Sequence, residues 1–173
     1  SAGQDVVVVN PTTVYGPGDY SLNSGSLIQN VAKAKGWLPV PSGGSNCVDV
    51  DDVVEGIIKA AEQGRRGTRY VLGGENLTYQ AIFSTIAGVL GRRLRLTVIP
   101  GGLSPLLAWT GGWVGRMTGN RFLTSAIIAD MFRYKYFSNA RAAMELGWTP
   151  RYTFAQSVER ACAFYRSLQE QQD

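Results

Sequence analysis

The sequence predicts an α/β fold, in which short strands alternate with helices along the chain. Short segments bounded by Gly, Pro or polar turns are typical of strands: an apolar run at residues 6–9, a second segment at 68–72, and alternating apolar and polar residues at 94–99. Apolar residues spaced three and four apart predict helices, for example over residues 24–35 and 153–168. This alternation favours a sheet with helices packed on its faces.

The first predicted strand, residues 6–9, consists of four consecutive valines. A strand without polar alternation is expected to be covered on both faces, as in a parallel sheet between two helical layers. Asn10 and Pro11 are expected to end it, because proline cannot continue a central ladder. The other predicted strands are short and scattered, so this strand lacks the sheet that it needs.

The remaining elements follow in order along the chain. Extended segments are predicted at 38–41 and 47–50, and a helix over 51–63 would be capped by Asp51 and Asp52. Thr78 is expected to cap the next helix, which ends near Leu90. The last helices before the carboxy-terminal one are predicted over residues 103–117, 125–134 and 139–146.

The composition excludes several classes of function. The chain has no histidine, which excludes His general bases, Ser-His-Asp triads and His-ligated zinc. Cys47 and Cys162 form no CxxC pair and no disulfide framework, so a reducing, cytoplasmic compartment is expected. The net charge of +4 is spread over small clusters, which does not indicate nucleic-acid binding. The apolar run at 103–114 is interrupted and falls short of the roughly 20 residues of a membrane span.

Three segments in order carry a resemblance to a known family. They are "VVVVNPTTVYGPGD", "NCVDVDDVVEGIIKAAEQGRRGTRYVLGGENLTYQAIFSTIAGVLGRR" and "FSNARAAMELGWTPRYTFAQSVERACAFYRS". Their order and spacing resemble the carboxy-terminal half of the extended short-chain dehydrogenases/reductases, the NAD-dependent epimerase/dehydratase family. The stretch "YVLGGENLTYQAIFSTIAGVLGRR" is most similar to the dihydroflavonol-reductase-like branch, especially the hopanoid-associated sugar epimerases.

The resemblance implies the carboxy-terminal part of a Rossmann-type enzyme, with late sheet strands and a small mixed α/β substrate-binding domain. Residues 1–22 would end the dinucleotide-binding domain, and residues 23–173 would form the substrate-binding domain, with residues 46–64 packing back on the Rossmann part. The chain contains no glycine-rich dinucleotide loop, and no lysine has a tyrosine four residues before it. The resemblance therefore implies a piece of a longer enzyme, inactive alone, whose catalytic Tyr-x-x-x-Lys pair lies upstream.

The resemblance also implies residues that contact the cofactor. Pro11, Thr12 and Thr13 would lie beside the nicotinamide of NAD or NADP, and Asn10 would make a polar contact with the substrate. This loop follows the carboxyl end of a strand, where ligands of doubly wound sheets bind. The alternative is a proline turn whose hydroxyl groups bond their own backbone.

Further substrate contacts are implied for a helix start and an extended segment. Ser26 and Leu27 would meet a diphosphate, because free N–H groups at a helix start suit an anion, or they would serve only capping and packing. Pro39 and Pro41 would line the nucleotide pocket or form a structural turn. Arg121 would reach the same cleft.

Two clusters leave alternatives open. Asp49, Asp51 and Asp52 suggest a metal or acid–base site, but helix capping is the preferred interpretation, and no metal site is assigned. Trp109 and Trp113 lie on one face of a predicted helix. That helix would pack on its own domain or act as an apolar lid over a less polar substrate.

The resemblance thus implies the substrate-binding half of an NAD(P)-dependent epimerase, dehydratase or reductase. Its substrate would be a nucleotide sugar or a related hydroxy or keto compound, and the full-length protein would form a homodimer. Arginines that commonly grip a diphosphate in such relatives are absent from residues 43–46 and directly after residue 99, which weakens the nucleotide-sugar interpretation. The alternative is a non-catalytic dinucleotide sensor or a protein-interaction module.

Overall fold

The computed structural model describes residues 3, 5–118 and 124–170. Its strands are β1 Val8–Pro11, β2 Thr13–Tyr15, β3 Trp37–Pro41, β4 Gly44–Asp49, β5 Arg69–Leu72, β6 Glu75–Thr78, β7 Arg95–Ile99 and β8 Tyr134–Lys135. Its helices are α1 Gly25–Lys33, α2 Val50–Gln63, α3 Tyr79–Val89, α4 Ser104–Thr118, α5 Ser125–Asp130, α6 Ala140–Leu146 and α7 Phe154–Glu170. A 3-10 turn, Gly101–Leu103, leads into α4.

Three small sheets organise these strands. β1 pairs with β5, and β3 pairs with β7, both in parallel. In the second sheet, β4 pairs in parallel with β2 and β8 and antiparallel with β6. The chain passes from the first sheet to the second at Thr12, which lies between β1 and β2.

Strand β4 separates two hydrophobic cores, because alternate side chains of a strand point to opposite faces. Cys47 belongs to the first core, which is built mainly from α1, α3 and α7. Val48 belongs to the second core, where Trp148 is fully buried and donates from its Nε1 to the carbonyl of Asp52 at 2.8 Å. Helix α2 packs on β1, β2 and β5. The division into a dinucleotide-binding part, residues 1–22, and a substrate-binding domain, residues 23–173, remains a prediction.

Strand β1 differs from its predicted environment. Val6 is 46% exposed and Val8 is 38% exposed, so coverage on both faces was a wrong prediction for this chain. β1 pairs with β5 along one edge, and within residues 5–118 and 124–170 no strand pairs with its other edge. Val7 and Val9 pack against the second core, whereas Val6 and Val8 lie on the other face of the strand and are exposed, because alternate side chains of a strand point to opposite faces.

Strand β1 ends at Pro11, at the predicted Asn10-Pro11 boundary, although it includes both residues rather than stopping before them. The amides of Val8 and Thr12 donate to the carbonyls of Thr68 and Leu72, so the even-numbered residues face β5. The nitrogen of Pro11 then lies on the free edge, where no ladder hydrogen bond is required. Proline is compatible with this position for that reason.

Two helix boundaries also differ from the predictions. Asp49, rather than Asp51 or Asp52, caps α2, because its Oδ1 accepts from the amide of Asp51 at 2.9 Å. Helix α5 ends at Asp130, and β8 follows instead of continued helix because Tyr134 and Lys135 pair with β4. In the described parts of the chain, no helix has the length and apolar character that crossing a membrane requires.

Candidate functional site

A groove of about 410 Å³ lies where the chain leaves β2 and enters α1. It is lined by Thr12, Thr13, Val14, Tyr15, Gly16, Pro17, Gly18, Asp19, Asn23, Ser24 and Val50. Because β2 and β4 are parallel, their carboxyl ends meet here, with Gly16 after β2 and Val50 after β4. The groove thus lies at the sheet edge where α/β proteins bind ligands.

The hydroxyl groups of Thr12 and Thr13 both bond to side chains of β4. Thr12 Oγ1 donates to Asn46 Oδ1 at 2.7 Å, and Thr13 Oγ1 lies 2.8 Å from Ser45 Oγ. The alternative in which they bond their own backbone was therefore wrong. Both residues line the groove, and their contact with a cofactor remains a prediction.

Asn46 fixes the junction between the first two sheets. Its side chain is buried, its Oδ1 also accepts from the amide of Gly74 at 2.9 Å, and its Nδ2 donates to Gly74 O at 3.2 Å and Asn76 Oδ1 at 2.6 Å. One amide therefore ties the loop at Thr12 to β4 and to the turn before β6. Sequence reasoning missed this role, although a polar residue beside a predicted buried strand is a usable signal.

The start of α1 is already occupied by a carboxylate of the chain itself. Asp19 accepts hydrogen bonds from the amides of Asn23, Ser24 and Gly25 at 2.9–3.0 Å. A carboxylate in this position satisfies free N–H groups and suits the positive end of the helix. An incoming diphosphate would have to compete with Asp19 for these donors.

The predicted substrate residues at this helix lie just beyond that cap. Ser26 is exposed and donates from its hydroxyl to the carbonyl of Asn23 at 2.9 Å. Leu27 is half-buried and packs against the first core. Neither lines the groove, and their contact with substrate remains a prediction.

The other predicted residues lie on separate strands. Asn10 and Pro11 are exposed on β1, while Pro39 is exposed and Pro41 half-buried on β3, opposite Thr97 and Ile99 of β7. Of the predicted residues in the described ranges, Thr12 and Thr13 line the groove and the others do not. Arg121 lies outside the described residues.

The aspartate cluster is held by internal partners. Asp49, besides capping α2, accepts from Arg160 Nη1 at 2.7 Å, and Arg160 also pairs with Asp51. Asp52 is fully buried and accepts from the amides of Arg151 and Tyr152 at 3.0 and 3.1 Å. Across the residues that the structure describes, no group of three or more Cys, Asp or Glu side chains is arranged to hold a metal ion.

The phenol of Tyr15 is unsuited to proton transfer near neutral pH. Burial raises its pKa far above the usual value, and the nearby Cys47 and Tyr79 raise it further. Its ring packs edge-on against Phe154, with the centroids 4.9 Å apart. Burial likewise raises the pKa of the Cys47 thiol to about 12, with Glu75 adding to the effect. Both groups therefore stay neutral and structural.

The two tryptophans of α4 do not pack on the domain core. Trp109 and Trp113 are both exposed, while Ala108 on the same helix is buried. The helix packs mainly on α5 and on the 3-10 turn before it. The helix therefore packs on its own domain through its other face, and the alternative that its tryptophans form a lid over a substrate remains a prediction.

The chain is similar to known proteins both in sequence and in fold. Residues 1–73 match the model of the NAD dependent epimerase/dehydratase family. A putative dihydroflavonol 4-reductase of Synechocystis sp. is 28% identical over 95% of this chain and 49% of its own length. The crystal structure of gox2253 is 29% identical, with a TM-score of 0.74, over 94% of this chain and 49% of that one.

A second solved structure shares the fold. PA4631, a nucleoside-diphosphate-sugar epimerase from Pseudomonas aeruginosa, superimposes with a TM-score of 0.74 at 24% identity, over 96% of this chain and 49% of that one. The chain therefore spans about half the length of these proteins, and the predicted Rossmann-type α/β fold class is confirmed.

Proposed function

We propose that this chain belongs to the NAD-dependent epimerase/dehydratase family and forms the substrate-binding half of such an enzyme. The reaction would be epimerisation, dehydration or reduction with NAD or NADP. The substrate would be a nucleotide sugar or a related hydroxy or keto compound. The tyrosine and lysine that transfer the proton would be supplied upstream of this chain.

The observation that carries the proposal is a groove at the carboxyl edge of parallel strands whose titratable lining residues are already engaged within the chain. Its titratable lining residues are Tyr15 and Asp19. Burial raises the pKa of Tyr15, and Asp19 is bonded to three backbone amides. The groove can therefore bind and orient a ligand, while proton transfer needs a group from outside it.

The exposed edge of β1 supports the same proposal. Val6 and Val8 are apolar and exposed, and since no strand among the described residues pairs with the second edge of β1, its backbone groups can pair with another strand. In a longer enzyme, further strands of a parallel sheet would cover this edge. Thr12 and Thr13 would then face the junction of the cofactor domain and the substrate domain.

Binding and turnover measured on this chain and on a protein extended upstream test the proposal. We expect the longer protein to bind NAD or NADP and to transfer hydride, followed by absorbance at 340 nm, with UDP-glucose and dTDP-glucose as probe substrates. We expect this chain alone to show no turnover. Asn23→Trp would place an indole in the groove and weaken substrate binding about tenfold or more, since the groove would be filled.

Asn30→Trp is the matched control, because Asn30 is exposed on α1 and does not line the groove. Turnover by this chain alone would refute the division of roles. Dinucleotide binding by the longer protein without turnover would instead support a non-catalytic sensor. Equal substrate affinity of the two variants would show that the ligand binds elsewhere.

A further inference from the structure

Helix α4 presents a continuous apolar stripe to solvent. The stripe consists of Leu103 at the end of the preceding 3-10 turn and of Leu106, Trp109, Trp113 and Met117 on α4; these residues follow one another at spacings of three and four and are all exposed. Trp109 is 70% exposed and Trp113 is 60% exposed. With 150–250 Å² for each indole, these two residues alone expose roughly 200–330 Å² of mostly apolar surface.

The opposite side of α4 is the side that packs within the chain. Ala108 is buried there, and a Cβ added at Gly111 would collide with the side chain of Ile128 on α5. The helix thus contacts α5 on the side of its small residues and directs the large apolar residues of the stripe to solvent. The stripe is also separate from the groove beside β2, whose lining comes from other elements.

The segment that contains the stripe has a one-sided charge. Residues 76–129 contain no aspartate or glutamate and five arginines: Arg92, Arg93, Arg95, Arg116 and Arg121. The other 119 residues carry twelve basic and thirteen acidic residues, which gives a charge of −1. The whole positive excess of the chain therefore lies in the segment that carries the stripe.

These two properties together fit an anionic lipid surface. Tryptophan favours the boundary between headgroups and acyl chains, because its ring is apolar and its N–H is polar. Exposed basic residues in the same segment of the chain are attracted to anionic headgroups over a longer range, and a segment without acidic residues is not repelled by them. A second copy of the chain fits less well, because it would bring one segment of charge +5 against another.

We propose that α4 docks on the surface of an anionic lipid bilayer through the Leu103–Met117 stripe. Its 15 residues make a helix about 22 Å long, which is shorter than a hydrocarbon core of about 30 Å. The helix therefore lies along the bilayer surface. Trp109 and Trp113 enter the headgroup–acyl boundary, and the exposed Arg92, Arg93 and Arg95 add electrostatic attraction at longer range.

Vesicle flotation tests the proposal with defined lipids. Phosphatidylcholine vesicles containing about a third phosphatidylglycerol should bind the chain, and pure phosphatidylcholine vesicles should bind it more weakly. The double variant Trp109→Ser/Trp113→Ser should lose about tenfold or more of its affinity, because two interfacial side chains are removed. Trp37→Ser is the matched control, since Trp37 is 56% exposed on β3 and lies outside the stripe.

Each other outcome would overturn the proposal. Absence of flotation with anionic vesicles, or equal binding by the double variant and Trp37→Ser, would show that the stripe does not dock on lipid. Sedimentation of the chain as a dimer that the double variant abolishes would assign the stripe to a second copy. Flotation of this chain but not of a protein extended upstream would assign it to a contact inside the longer protein. Circular dichroism of each variant confirms that the chain remains folded.

Discussion

Replacement of Asn46 by alanine tests whether one buried amide holds the two sheets together. In the folded chain, its side chain accepts from Thr12 Oγ1 and Gly74 N and donates to Gly74 O and Asn76 Oδ1, all at 2.6–3.2 Å. A net value of about 1 kcal/mol for each bond sets an upper range near 4 kcal/mol. Partners that reach water recover part of this, so we expect Asn46→Ala to lower the free energy of unfolding by about 2–4 kcal/mol.

Urea unfolding followed by circular dichroism measures this difference, with Asn30→Ala as the matched control. Asn30 is exposed on α1, where alanine has the higher helix propensity, so the control should change stability by less than about 0.7 kcal/mol. The loss expected for Asn46→Ala would be a large share of the roughly 5–15 kcal/mol free energy of unfolding that is typical of a domain. Equal unfolding curves for the two variants would refute the role given to Asn46.

Two further predictions concern β4 and its neighbours. The pKa of Cys47 is raised in the folded chain from 9.0 to about 12, so the folded state binds this proton more tightly than the unfolded state. The contribution of this thiol to stability is therefore present below about pH 9 and is lost as the pH rises towards about 12. Cys47→Ala should flatten that part of the curve of unfolding free energy against pH. An unchanged slope would contradict this prediction. Gly74→Ala should destabilise the chain strongly, because the new Cβ would collide with the backbone carbonyl of Cys47. Gly88→Ala, in an open position of α3, should instead stabilise it by roughly 0.5–1 kcal/mol, and thermal melts that place both variants on the same side of the parent chain would contradict this pair.

The sequence predicted the elements whose signals are local. Helix α3 has Thr78 as its cap, as predicted, and Thr78 Oγ1 accepts from the amide of Ala81 at 3.1 Å. The strands β2, β6 and β8 were missed because two to four residues are too few to show a period and because, unlike the valines that begin β1, they form no unbroken apolar run. Such strands form because β4 lies beside them, which is a non-local cause.

The candidate site was predictable only in part, for the same reason. The resemblance pointed to Thr12 and Thr13, and the structure places both at the groove. Asn46 was missed because its partners lie 28–34 residues away in the sequence. The carboxylate of Asp19 at the start of α1 was missed because the turn that brings it there is not visible in the residue pattern.

Hydrogen exchange at the amide of Val9 tests most directly whether this chain is one half of a larger sheet enzyme. The amides of Val8 and Thr12 donate to β5, and successive amides of a strand point to opposite edges. The amide of Val9 therefore points to the edge of β1 that does not pair with β5. In this chain it should exchange rapidly, and in a protein extended upstream it should exchange at least about 100-fold more slowly, because a neighbouring strand would accept its hydrogen bond. Equally fast exchange in both proteins would contradict the account.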